Sequence, residues 1–360
     1  MSKYIQPETI KYLGSKRKIA PFIHEVVKKT GAESLFDGFS GSTYVSQYFA
    51  NNGYSVHSND IAEWSFVLSN AFLLHEKKPE EYEKMITTLN KCKGKNGWFN
   101  KNYGGDEFMT GGKRPWRDFN AKKLDSIRDK IDSICLTKDE KYVALSSLVL
   151  ALDKVDNTLG HYSSYLSEWS PRSLNKLELK VPRLSINNGK HVVTSGDVME
   201  VLGTNNCDIA YFDPPYGSNN NVMPSSRVRY NPYYHIWKTI ILNDKPELFG
   251  KVNRRQDSRD KEANNRFEEY RKNEEGEFVA VKAIDELIAN TPNEYILLSY
   301  SSGGKVSKKE LTKIFKNNAN SYKFYEIQHS QNVMKSMTST KEFLREEKTT
   351  HKEYLILLKK

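Results

Sequence analysis

Apolar positions in the first seventy-odd residues alternate between helical and strand spacing. Ile19, Phe22, Ile23, Val26 and Val27 recur three to four residues apart, so Lys16 to Lys29 is expected to form a helix with one buried face. Ser34-Leu35-Phe36-Asp37 is a short apolar run that stops at a Gly-rich turn. Thr43 to Ala50 returns to helical spacing, and Ser55-Val56-His57-Ser58-Asn59-Asp60 reads as a second strand ending in an acid. Strand, turn, helix and strand in that order make a βαβ unit, which implies a parallel sheet with its ligand edge at the carboxyl ends of the strands. The pattern returns after residue 190. His191 to Thr194 and Asp208 to Phe212 are strand-like, Ala280 to Ala289 is helical, and Tyr295 to Tyr300 is a further strand. Tyr322 to Ile327 and Glu353 to Leu358 fit an antiparallel hairpin that closes the sheet.

Two segments of different character interrupt this pattern. Residues 76–189 contain helical stretches at Ala121 to Ile134 and Lys141 to Asp153, and a Gly- and Lys-rich patch from Lys91 to Arg117. Gly217 to Lys272 is polar and rich in Arg, Asn and Tyr. Its later half, Arg254 to Lys272, is dense in both charge signs and reads as a mobile loop or an exposed helix. The organisation expected is an α/β core in three pieces, 1–75, 190–216 and 279–360, with a largely helical insertion at 76–189 and a second inserted segment at 217–278. No internal repeat appears.

The 360 residues carry a formal net charge of +10, which suits a polyanionic partner, because Lys and Arg displace counterions from phosphates. A basic soluble protein without such a partner has the same composition. No apolar run is long enough to span a bilayer, and Met-Ser-Lys-Tyr-Ile-Gln-Pro lacks the apolar core of a signal peptide. Cys92, Cys135 and Cys207 are odd in number and far apart, as expected of a reducing compartment. A soluble intracellular protein without structural zinc is the expectation.

The chemistry concentrates in Tyr211-Phe212-Asp213-Pro214-Pro215-Tyr216, directly after an apolar strand. Two prolines remove backbone donors and leave carbonyls as outward acceptors. An amino group beside them can donate one hydrogen to the Asp213 carboxylate and one to the Pro214 carbonyl, which draws its lone pair out of conjugation. Tyr216 offers a face on which an extruded base can stack. A Pro-Pro turn that merely ends a strand explains the prolines but not the flanking acid and aromatic. Ser301-Ser302-Gly303-Gly304-Lys305 looks superficially like a phosphate loop, but lacks the Walker spacing.

On these residues the chain resembles the Dam-like, alpha-ordered group of N6-adenine DNA methyltransferases, and within it the methyltransferases of type IIS restriction-modification systems, the FokI type. The resemblance implies a Rossmann-like core that uses S-adenosylmethionine, with a helical insertion and a second, DNA-facing insertion. Asp213, Pro214, Pro215 and Tyr216 become the catalytic tetrapeptide. Lys11-Tyr12-Leu13-Gly14-Ser15-Lys16 corresponds to the element that touches the methionine part of the cofactor, through Tyr12 and Lys16. An aromatic face attracts a sulfonium, and a lysine can meet a carboxylate. Phe36-Asp37-Gly38-Phe39-Ser40-Gly41-Ser42 corresponds to the Gly-rich cofactor turn, with Asp37, Phe39, Gly41 and Ser42 as contacts; the family's last glycine is here Thr43. Asp60 would accept from both ribose hydroxyls and Ile61 would pack on the adenine; without the neighbouring motif, an N-capping acid is the preferred reading. Asp197 and Val198, in Ser195-Gly196-Asp197-Val198, would contact the cofactor's adenine. Asp156-Asn157-Thr158-Leu159-Gly160-His161-Tyr162 resembles a stretch of the type IIS relatives and has no chemical role of its own in this reading.

The expected substrate is double-stranded DNA in a bacterial cytoplasm, with no metal and no membrane, and with a cognate restriction endonuclease as a functional companion. Candidate DNA contacts are Arg227, Arg229, Arg254 and Arg255 in one segment and Lys113 and Arg114, near Trp98, Tyr103 and Trp116, in the other. Rival readings are methylation of a cytosine, RNA or protein amino group, and a catalytically silent DNA-binding subunit of the same fold.

Overall fold

The computed structural model describes residues 5–108, 113–135, 137–217, 229–259, 265–269, 271–328 and 352–360. Seven strands are paired in a mixed, mainly parallel sheet: β1 (Ser34–Asp37), β2 (Ser55–Asn59), β3 (Val192–Thr194), β4 (Ile209–Phe212), β5 (Tyr295–Ser301), β6 (Ser321–Gln328) and β7 (Lys352–Lys359). The longer helices among the described residues are α1 (Ala20–Lys28), α2 (Tyr44–Asn51), α3 (Glu63–Leu73), α4 (Pro79–Asn90), α5 (Asp118–Ile134), α6 (Lys138–Lys154), α7 (Tyr230–Leu242), α8 (Val279–Asn290) and α9 (Lys308–Asn318). No described helix is long and apolar enough to cross a membrane. The chain divides into two compact units, residues 1–21, 39–201 and 230–263 in the first and 22–38, 202–229 and 264–360 in the second.

In the second unit β1 and β5 both pair with β4 in parallel, β7 pairs with β5 antiparallel, and β6 pairs with β7 antiparallel. The last pairing is the hairpin expected from the sequence. Every residue of β4 is buried, which is why it reads as a continuous apolar run rather than an alternating one. At its start the Asp208 carboxylate accepts from the Ser34 and Glu33 amides, both at 2.9 Å, fixing the beginning of β1 beside it. The helix expected from Lys16 is a 3-10 turn, Lys16–Lys18, before α1 begins at Ala20. Pro21 has no N–H to offer an inner turn, so it sits where none is needed.

In the first unit β2 and β3 pair in parallel, and a helical mass surrounds a core that includes Trp64, Leu68, Phe72, Leu124, Leu148 and Trp237. Segment 76–189 lies wholly within this unit. Helix α6 opens on a reciprocal Thr137–Glu140 capping box. Helix α3 buries residues on nearly every side, Trp64, Ser65, Val67, Leu68, Ser69, Ala71, Phe72 and Leu73 among them, so it shows no amphipathic period.

The segment 217–272 departs from its polar reading. It contains α7, with Pro232, Tyr234, Ile236, Trp237 and Ile240 buried. The later part, Arg254 to Lys272, is neither an exposed helix nor, where described, a solvated loop. Leu248–Phe249 pairs antiparallel with Arg254–Arg255, a 3-10 turn follows at Gln256–Ser258, and Ser258, Phe267, Glu268 and Glu269 are buried. The mixed charges neutralise one another locally: Arg255 pairs with Asp244 at 2.7 Å and with Asp257 at 3.0 Å.

Candidate active site

Of the cofactor-side candidates of the first unit, Tyr12 and Asp60 meet at the Gly41 turn. Gly41 adopts a φ of +46°, and its N–H donates to Asp60 Oδ2 at 2.7 Å. A Cβ at Gly41 would lie 3.0 Å from the Tyr12 hydroxyl oxygen, so the turn and the Tyr12 ring pack without room for a side chain. Thr43 stands where the resemblance expects a glycine, and its φ of 63° is left-handed all the same. This conformation costs a β-branched residue roughly 1–2 kcal/mol. Its hydroxyl accepts from Gln47 Nε2 at 2.7 Å, which helps hold it there. Asp60 also accepts from the Ala62 amide at 2.9 Å, but α3 begins at Glu63 with Ala62 as its N-cap, so Asp60 fastens the Gly41 turn and the approach to the helix and does not cap α3 itself. Burial pushes the Asp60 carboxyl up, and the Ala62, Gly41 and Ile61 amides offset part of that shift. Ile61 is apolar yet 66% exposed.

Tyr12 is held by aromatic rings that the sequence had not assigned. Tyr234 stacks on it at 4.7 Å, Tyr230 lies at 5.3 Å and Trp64 at 5.8 Å. The signal was present in the helical spacing of Tyr230, Tyr233, Tyr234, Trp237 and Ile241, inside a stretch whose polar flanks masked it. Lys16 and Ser42 are buried and Phe39 is half-buried. Asp197 accepts from the Met199 amide at 2.9 Å and caps a single helical turn, in which Val198 is buried.

In the second unit Asp37 ends β1 and is buried, and the Gly38 amide donates to the Tyr211 carbonyl at 3.0 Å. Asp213 to Tyr216 leave the end of buried β4; Pro214 is buried, and Asp213, Pro215 and Tyr216 are half-buried. The Ser301–Lys305 turn grips the far end of this tetrapeptide. The Lys305 amide donates to the Tyr216 carbonyl at 2.9 Å, and the Tyr216 ring meets Tyr300 edge-on at 5.6 Å. A Cβ on Gly304 would lie 2.6 Å from Tyr300 Cε1 and 3.0 Å from Tyr216 Cβ. Glycine is needed there for two aromatic rings. The turn is thus a brace for the tetrapeptide.

The family model of the D12 class N6 adenine-specific DNA methyltransferases matches residues 12–273, from Tyr12 through the tetrapeptide and beyond. The chain belongs to this family. Among curated relatives, modification methylase StsI of Streptococcus sanguinis is 31% identical over 325 residues, covering 85% of this chain and 46% of its own length. Type II methyltransferase M.FokI of Planomicrobium okeanokoites is 27% identical over 88% of this chain and 49% of its own length. M.NlaIII of Neisseria lactamica is 26% identical over 84% of this chain and 87% of its length. The chain therefore spans less than half the length of StsI and M.FokI and most of the length of M.NlaIII.

The arginines and lysine singled out as DNA contacts in this D12-class chain fall in different surroundings. Arg227 lies outside the described residues. Arg229 is buried, and its charge helps lower the pKa of Glu269 after the larger contribution of Arg271. Arg255 is buried and committed to Asp244 and Asp257. Arg254 is half-exposed, with its guanidinium 4.7 Å from the Phe249 ring centroid; Arg259, at the end of the same segment, lies 4.5 Å from the same ring. The hairpin that carries them is anchored by Tyr103 and Tyr165, whose hydroxyls donate to the Asn253 and Val252 carbonyls, both at 2.9 Å. Lys113 is exposed, and Arg114 is half-exposed and bonded to the Lys113 carbonyl.

Proposed function

We propose that this chain transfers a methyl group from S-adenosylmethionine to the exocyclic amino group of a flipped-out adenine in double-stranded DNA, as the modification part of a restriction-modification system in a bacterial cytoplasm. The observation that carries this reading is the Asp213-Pro214-Pro215-Tyr216 tetrapeptide at the end of buried strand β4, in a chain of the D12 adenine methyltransferase family.

The donor set of the first unit suits an adenosine-bearing cofactor. A glycine turn too tight for a Cβ, a half-buried acid beside it and an exposed apolar Ile61 offer close backbone approach, a hydroxyl acceptor and a planar contact. Tyr12, Lys16, Asp60, Ile61 and Asp197 would hold the cofactor there. When bound, it supplies an electrophilic methyl group. The work of the chain's own residues is orientation. Asp213 accepts one amino hydrogen and the Pro214 carbonyl the other, which returns the nitrogen lone pair from the ring. Tyr216 stacks on the extruded base. Fixed dipoles aimed at the amino group stabilise it as it gains positive charge, so no strong base need deprotonate it first, and the surplus proton leaves during or after attack.

DNA contact is assigned to the Arg254–Arg259 face of the braced hairpin, with Lys113 and Arg114 as a second phosphate-facing group. The test is incubation of plasmid with the protein and cofactor, followed by sequencing that reports modified bases. Methyladenine at one recurring sequence is the expected result, lost with Asp213→Ala, where removal of one electrostatic partner costs about a hundredfold or more in rate. Methylcytosine alone, or equal activity in the variant, overturns the reading. Resistance of the modified plasmid to a companion endonuclease tests the restriction-modification role.

A further inference from the structure

The motif 156–162 takes no part in the reading above, yet it is bonded at both ends to whatever holds Tyr12. Asp156 is fully buried. Its oxygens accept from Lys11 Nζ at 2.8 Å, Arg172 Nε at 2.9 Å, Thr158 Oγ1 at 2.8 Å and the Tyr162 hydroxyl at 3.0 Å. Lys11 immediately precedes Tyr12; its backbone N–H donates to Asp153 Oδ2 at 3.0 Å and its ammonium also meets the Asp153 carbonyl. At the other end of the motif the Tyr162 amide donates to the Tyr233 carbonyl at 2.8 Å, and the His161 ring stacks on Tyr233 at 4.4 Å. The neighbours of Tyr233 complete the circuit. The Leu13 amide donates to the Tyr234 hydroxyl at 2.7 Å, and the Tyr230 hydroxyl donates to the Leu13 carbonyl at 3.2 Å.

Residues 11–13 are therefore gripped from two sides by one seven-residue stretch, directly through Lys11 and indirectly through the first turn of α7. That turn departs from helical geometry at Tyr234, where φ is −117° and ψ 16°. Burying a carboxylate under two cations contributes little net stability, because desolvation offsets most of the attraction and an apolar replacement does as well. What such a cluster supplies is a fixed direction for each of its members.

We propose that residues 156–162 form the socket of the cofactor-side loop, in which Asp156 is a positioning residue that sets Tyr12 through Lys11. This rests on the reading in which Tyr12 meets S-adenosylmethionine. Lys11→Met keeps the apolar stem, removes the charge and leaves Asp156 with Arg172. Calorimetric titration of the full chain with S-adenosylmethionine should show the Kd of Lys11→Met raised about tenfold as Tyr12 loses its restraint, and largely restored in Lys11→Arg. In turnover the KM for the cofactor should rise while the KM for DNA stays at the wild-type value, a split that general destabilisation does not produce. Asp156→Asn combined with Lys11→Met should bind no more weakly than the weaker of the two single variants. If Lys11→Met binds as wild type does, or if the two losses multiply, the socket is refuted. Should Asp156→Asn fail to fold, the Lys11→Met and Lys11→Arg pair still decides. Failure of the wild-type chain to bind the cofactor would instead sink the reading of the site itself.

Discussion

Replacing Asp60 with alanine removes a ligand acceptor and a structural fastener together, and the geometry predicts how the two losses separate. One carboxylate oxygen takes the Gly41 amide at 2.7 Å and the other the Ala62 amide at 2.9 Å, with a further contribution from the Ile61 amide. An ionised carboxylate has about four lone-pair sites, so the Gly41 and Ala62 amides leave room for ribose hydroxyls. A hydrogen bond to a charged group contributes about 1.5–3 kcal/mol, which puts the cofactor Kd of Asp60→Ala about 10- to 150-fold above wild type. Loss of the Gly41 and Ala62 anchors should lower unfolding stability without any cofactor, by about 1.5–3 kcal/mol. Asp60→Asn keeps one acceptor oxygen in nearly the same shape and should fall between the two proteins on both measures. Calorimetric titration with S-adenosylmethionine gives the first quantity and urea unfolding of the free proteins the second. A Kd that stays at the wild-type value while the urea midpoint falls would refute the ribose contact and leave Asp60 as a loop fastener only.

Three further outcomes are expected. Gly304→Ala forces the Tyr216 and Tyr300 rings apart, and a misplacement near 1 Å costs up to about a hundredfold in rate, so methyl transfer should fall well below wild type with cofactor affinity retained; unchanged turnover removes the bracing role. Burial holds His235 neutral, its pKa lowered to about 3 from an ordinary 6.5. A depressed histidine contributes stability that is complete above pH 6.5 and lost as pH falls toward 3, here about 2 kcal/mol between pH 7 and pH 5. His235→Gln should remove that part of the pH dependence of the urea midpoint, and a variant with the wild-type slope would contradict the assignment. Combined Arg254→Ala and Arg259→Ala should weaken binding to DNA and make the salt slope shallower by up to about two units, while Arg255→Ala, which removes the Arg255 pairs of Asp244 and Asp257 and leaves Asp257 with Lys238, should chiefly lower stability, by about 1–3 kcal/mol. An inverted result, with Arg255→Ala altering DNA binding at full stability, would return Arg255 to the DNA-facing set.

Apolar runs bounded by turns marked β1, β2, β4 and β5 in the sequence, and two late runs marked the β6–β7 hairpin, because strands buried on both faces need no alternation to be visible. The same burial hid α3. A helix enclosed by other elements is apolar on most sides, and no period stands out from its composition. Helix α7 had a visible period, but charged and polar neighbours on both flanks dominated the window. The dense charges of Arg254 to Lys272 suggested solvation, whereas Arg255 draws Asp244 from eleven residues upstream into an internal pair. Which of many nearby charges pair is decided by the turn between them, and residue type does not encode it.

Residue type at the candidate site was legible one residue at a time: an acid after a strand, glycines in a turn, an aromatic after two prolines. What it could not express is that these groups restrain one another. Gly41 is crowded by Tyr12, which comes 29 positions earlier, and Gly304 by Tyr300 and by Tyr216, the latter 88 positions earlier. Thr43 makes the same point from the opposite direction. Its departure from glycine suggests a different turn, yet the backbone keeps the left-handed conformation, with Gln47 bonded to its hydroxyl. A turn that retains its shape against the preference of its own residue must be determined by its neighbours, here by Asp60 through Gly41 and by the Ser40 amide on the Asn59 carbonyl. The shape of the Gly41 turn is thus a property of β2 and the residues that follow it as much as of the glycines themselves, so, on the proposed reading of this turn, substitutions at Asn59 and Asp60 should act on ligand binding even where they touch no ligand.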